Sequence, residues 1–107
     1  MKIVNGSLLR TLVNLNLREM PKTTAPRRAT LQTGVLVQAL GPPANGWLHC
    51  VVHGWRNEEY PEHLFSEPDS RSSVEARRGM LGWHEASIEG YASMDNAAWW
   101  TVVDGPQ

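Results

Sequence analysis

The chain has 107 residues, a net charge of −1 and one cysteine. That length suits one small domain, or one barrel with a sizeable appendage. The near-neutral charge disfavours nucleic acid or anionic membrane as a partner held by a general basic field. A single cysteine excludes an internal disulfide and fits a reducing compartment. With 41% hydrophobic and 20% charged residues the chain is expected to fold rather than stay disordered. No stretch is long and apolar enough to span a bilayer, and Met1 to Gly6 carry no apolar run of signal-peptide type. The expected location is therefore cytoplasmic, although a virion-associated or phage-released protein would look the same. Five tryptophans stand against two tyrosines and one phenylalanine. Because a buried indole N–H needs a partner, some of the five are expected at an interface or groove.

In chain order, Asn5-Gly6 is a turn signal between two short apolar runs, which predicts a small hairpin over residues 1–13. Leu15-Asn16-Leu17-Arg18 alternates as a half-buried strand does. Residues 19–30, with Pro21 and Pro26, read as a long irregular loop, closed by Leu31 to Gly34. Residues 35–40 are rich in strand formers, and 41–46, with Pro42 and Pro43, form a loop. The stretch from Gly46 to Trp55 organises the rest. Period two puts Leu48, Cys50 and Val52 on a core face and Trp47, His49, Val51 and His53 on the other. Gly54-Trp55 reads as a turn, and residues 60–65 as a short helical turn or a last edge strand. Residues 66–79 have linker composition, with Ser72 and Glu75 spaced to cap a short helix over 74–78. Gly82 to Tyr91 then repeats the spacing of Gly46 to Trp55 at an offset of 36. Gly-Trp opens both copies, a small residue is fifth, a β-branched one seventh, and Gly-aromatic closes. Asp95-Asn96 marks a turn before a strand over 97–103.

These pieces resemble, in order and spacing, a bacterial Src-homology-3 (SH3-like) domain over residues 15–64, with a partial second copy at about 82–96. The resemblance rests on Leu15-Asn16-Leu17-Arg18, the proline- and threonine-bearing loop 19–30, Leu31-Gln32-Thr33-Gly34, Asn45-Gly46-Trp47, Gly54-Trp55 and the Tyr60 to Leu64 ending. Two departures stand out. The segment between Trp47 and Trp55 is shorter than is usual in the family, and Arg56-Asn57 replaces an apolar residue after Gly-Trp. The resemblance implies a small five-stranded barrel whose loops bind something. The expected fold is all-β: an SH3-like barrel at 1–65, a linker at 66–79, and at 80–107 a C-terminal β-meander or an incomplete second barrel. A half barrel needing completion also makes a homo-oligomer an expectation.

No paired carboxylates, phosphate-binding glycine loop or metal signature appears, so no enzyme activity, cofactor or metal is expected. Cys50 lies next to His49, but adjacent strand residues face opposite sides, so Cys50 reads as a small core residue. His49 and His53 share a face yet lie four residues apart, about 13 Å at roughly 3.3 Å per residue, too far to share one ion. The basic pairs Arg27-Arg28 and Arg77-Arg78, with Arg71, are of the kind that hold phosphates, offset by Glu58, Glu59, Glu62, Glu67 and Asp69. Trp47 and Trp83 read as structural lids at strand ends. Trp99 and Trp100, adjacent in a strand, face opposite ways, so one should mark a contact surface. Trp55, Tyr60, Tyr91, Trp99 and Trp100 are thus the candidate ligand-binding residues. The leading expectation is a non-enzymatic module that binds a protein or peptide through exposed aromatics, as peptide-reading SH3-like domains do. The alternatives are a peptidoglycan-binding module and a small phage structural or host-inhibiting protein, with nucleic-acid binding behind them.

Overall fold

Alternation is cleanest from residue 47 onward, and there the chain forms its longest strand pair. The computed structural model describes residues 3–58, 60–66 and 83–104. Strand β5 (Trp47–Asn57) runs antiparallel to β7 (Trp83–Ser93) through 11 consecutive residue pairs, from Trp47↔Ser93 to Asn57↔Trp83. The two sequence copies are therefore the two arms of one ladder. Their seventh residues, Val52 and Ile88, pair with each other, so a local twofold relates the copies there. The other strands are β1 (Leu8–Thr11), β2 (Leu15–Arg18), β3 (Arg27–Leu31), β4 (Leu36–Ala39), β6 (Tyr60–Phe65) and β8 (Trp100–Asp104). Apart from one 3-10 turn at Ala97–Trp99, the described residues contain no helix.

The fold is all-β, as expected. Five strands close into a barrel in the order β5–β6–β3–β2–β7 and back to β5. The β3–β6 pairing is parallel, through Thr30↔His63 and Leu31↔Leu64. From the edge of β5 opposite β7, β4 extends the sheet to β1 and then β8. The C-terminal strands do not neighbour each other. β7 becomes a stave of the barrel between β5 and β2, and β8 pairs with β1. Leu9, Leu17, Leu31, Val35, Val37, Leu48, Cys50, Val52 and Leu64 are fully buried and belong to one core. Leu48, Cys50 and Val52 form the inward set that the period-two pattern assigned to β5.

Four details depart from the sequence reading. Residues 3 and 4 form no strand. Gly6 N–H instead donates to Ala39 O at 2.8 Å, so the first ordered strand starts at Leu8. The loop after β2 ends at Pro26, because Ala29 and Leu31 alternate inward and pair with Leu17 and Leu15. Gly54-Trp55 is not a turn: the strand continues through it. A Cβ on Gly54 would lie 3.0 Å from Phe65 O, so its glycine serves the approach of β6. Gly90, at the same position of the second copy, plays the matching part on β7. A Cβ there would lie 2.8 Å from both Arg18 O and Leu17 Cγ, where β2 closes over β7. Finally, Asn96 Oδ1 accepts from Ala98 N–H at 3.0 Å and Asn96 O from Trp99 N–H at 3.1 Å, which turns 97–99 into a helical turn before β8. The expected linker (from residue 67 on) and the capped helix over 74–78 lie outside the described residues.

Candidate functional site

The outward face of β5 meets the outward face of β7 at the end of the ladder that carries Trp47. His49 and Tyr91 are directly paired across the strands, with ring centroids 4.6 Å apart and planes inclined by 13°. His49 Nε2–H donates to Glu89 Oε2 at 2.8 Å, which fixes the imidazole over the Tyr91 ring. Pro21, Pro42, Asn45 and Trp47 join this pair around a cavity of about 240 Å³. Pro21 belongs to the 19–26 loop, and Pro42 and Asn45 to the 40–46 loop, so the groove lies between two loops on a strand floor.

Both loops are tied down. In the first, Glu19 N–H donates to Pro26 O at 3.0 Å and Ala25 N–H to Lys22 O at 3.1 Å. Arg18 Nη1 adds a bond to Ala25 O at 2.9 Å, and Ala25 is buried. In the second, Ala44 and Trp47 exchange two backbone bonds, of 2.9 and 3.0 Å, and Leu40 N–H donates to His49 O at 2.9 Å. Little ordering entropy remains to be lost when such a groove is filled.

Only one residue of the expected aromatic set lies in this groove, Tyr91. Tyr60 is 51% exposed and sits on β6, where it stacks with His63 at 6.0 Å and meets the edge of Phe65 at 6.5 Å. Trp55 and Trp100, expected as exposed aromatics, are buried. Trp55 lies within a strand paired on both edges, with Phe65 and Glu85, and is 3% exposed. Trp100 is 7% exposed, and its Nε1–H donates to Ser93 O at 3.0 Å. Trp99 starts no strand face; it ends the 3-10 turn, half-buried against the core. The adjacent tryptophans thus need no outside partner to cover one of them. Conversely, Trp47, expected as a lid at a strand end, and His49, expected to hold no ion with His53, both line the groove. Their outward parity on β5 was visible in the sequence, but their meeting with Tyr91 depends on the pairing of the two copies.

Cys50, His53 and His84 each have a structural setting. Cys50 is inside the core. Burial, and after it the charge of Glu89, push its thiol up to about 12, so it stays protonated near neutral pH. His53 Nε2–H donates to Gln38 Oε1 at 3.2 Å, and its Nδ1 accepts from Ser87 Oγ–H at 3.0 Å. His84 Nε2–H donates to Glu58 at 3.2 Å on the surface. No cluster of three or more metal-ligating side chains occurs among the described residues.

The fold is a small five-stranded all-β barrel with additional strands, compatible with an SH3-like fold. No family model, curated protein sequence or solved structure matches the chain.

Proposed function

We propose that the chain is an SH3-like interaction module, resembling bacterial members of that class, and that it binds an extended peptide along the Pro21–Trp47–His49–Tyr91 groove. One observation carries this reading: two prolines and three rings converge between two hydrogen-bonded loops on a barrel. Flat aromatic and proline surfaces suit an extended chain, whose own backbone stays accessible for hydrogen bonds. At about 240 Å³ the groove is smaller than the roughly 300–1,000 Å³ of small-molecule sites, which favours a shallow peptide contact. Glu89, bonded to the groove residue His49 and about half exposed, adds a preference for a basic side chain beside the apolar one.

The test is a selection from a displayed library of random peptides, with purified peptidoglycan as a second probe. Selected peptides should bind Tyr91→Ala at least about tenfold more weakly, the effect of losing one aromatic anchor. Melting temperature should stay near that of the parent chain, since Tyr91 points outward. Equal affinity for the parent, Tyr91→Ala and Trp47→Ala proteins would remove the groove from consideration. Retention on peptidoglycan that Tyr91→Ala abolishes would identify the ligand as a cell-wall peptide.

A further inference from the structure

A second concave surface shares no lining residue with the groove, although Arg18 on its wall pairs with Tyr91 across the strands, and its chemistry is different. Where β2, β3, β5 and β6 converge, Arg18, Arg27, Arg28 and Arg56 surround a cavity of about 440 Å³, with Glu62 the one carboxylate on its wall among the described residues. The whole chain carries a net charge of −1, so this is a local concentration of positive charge and not part of a basic surface. The four arginines are not equally occupied. Arg18 is anchored to Ala25 O, and Arg27 reaches Glu62 at 3.3 Å in an exposed pair, which is weakly held. The Arg28 side chain makes no hydrogen bond or ion pair among the described residues. Arg56 Nε is buried and lacks a hydrogen-bond partner. A buried donor left unmatched is costly and uncommon. Guanidinium groups offer planar, paired donors that match the oxygens of phosphate.

We propose that this cavity binds a phosphate group carried on a small molecule. Its volume lies within the range of small-ligand sites and exceeds what the anion alone would fill. The neighbouring surface says what the rest of the molecule is. Pro61 and Glu62 line both the cavity and the adjoining shelf formed with Tyr60 and His63. Tyr60, half exposed, lines that shelf beside the stacked His63 ring. A planar heterocycle attached to the phosphate stacks on that ring while the arginines hold the anion, the combination by which proteins grip nucleotides. The ligand class is therefore a nucleoside monophosphate. This site is separate from the peptide groove, and the inference does not rest on the peptide reading.

The probes are inorganic phosphate and adenosine monophosphate, titrated into the full chain at constant ionic strength set with chloride. Binding is read by calorimetry and by the Nε–H resonance of Arg56. Both probes should bind saturably and shift that resonance, with the nucleotide several-fold tighter. Arg28→Gln, an exposed change that leaves the core intact, should weaken both about tenfold or more. Arg56→Gln should do the same. Tyr60→Ala should remove the advantage of the nucleotide and leave inorganic phosphate unchanged. The proposal is overturned if neither probe saturates, or if Arg28→Gln binds as the parent does. Phosphate binding without preference for the nucleotide overturns the ring assignment. Binding of a single-stranded oligonucleotide where the mononucleotide fails overturns the small-ligand assignment.

Discussion

Closure of the barrel at Gly90 gives the sharpest test of the fold. Only one residue pair, Arg18↔Tyr91, joins β2 to β7, so the approach of Leu17 and Arg18 to Gly90 carries that junction. A methyl group at position 90 would meet Leu17 Cγ and Arg18 O, each at 2.8 Å. Leu17 can shift within its rotamer, but the carbonyl oxygen is backbone and can move only with the strand. Gly90→Ala should therefore destabilise the fold by about 1–3 kcal/mol, the cost of overpacking a filled core. At this size each kcal/mol corresponds to roughly 4–8 °C in melting temperature. Gly41→Ala is the matched control. A Cβ there meets nothing within 4 Å, so the substitution should be neutral, or stabilising by about 0.4–1 kcal/mol through the unfolded chain. A double-mutant cycle with Leu17→Ala adds a second reading. Removing the leucine side chain relieves part of the clash, so the double variant should be more stable than additivity predicts, by about 0.5 kcal/mol or more. Urea denaturation monitored by tryptophan fluorescence measures all five proteins. Gly90→Ala as stable as the parent, or strict additivity with Leu17→Ala, would mean that β2 does not close over β7.

Other outcomes follow from burial. Trp55→Ala should cost about 3–5 kcal/mol, a large part of the stability of a small domain. Trp100→Phe should cost about 1 kcal/mol by losing the bond to Ser93 O. Chemical denaturation checks both, and a change in either below about 0.5 kcal/mol would contradict their placement. Cys50 makes stability fall at high pH. Well below pH 9 its thiol is protonated in both states. Above it the unfolded chain releases the proton, while the folded chain holds it until about 12. Unfolding is then favoured by proton release, and between about pH 8 and 10.5 the parent should lose about 2 kcal/mol more than Cys50→Ala. Identical pH profiles for the two proteins would place Cys50 outside the core.

The sequence made β5 legible because three apolar residues on one parity leave no other choice of core face. It made Tyr91 legible through the repeat. What it hid was long-range. Gly54 looks like a turn until β6 is seen lying against it, and misreading that glycine put Trp55 on the surface. Ala29 and Leu31 carry too little apolar weight to announce β3 without β2 beside them. Trp99-Trp100 reads as strand because the pull of Asn96 on the following amides is a local, directional effect. The groove joins residues 21, 42, 47, 49 and 91, and the arginine cavity joins 18, 27, 28 and 56. Neither set is close in sequence, and no spacing rule connects them.

The central claim is that the groove over His49 and Tyr91 receives an extended peptide. The most direct measurement is a backbone and indole amide shift titration of the full chain with the tightest peptide from the library selection. The shifts should concentrate on residues 19–26, 40–49 and 89–91, with the Trp47 indole N–H among the largest, and Tyr91→Ala should abolish them. Shifts confined to β6 and the arginine cavity, or an unchanged response in Tyr91→Ala, would contradict it.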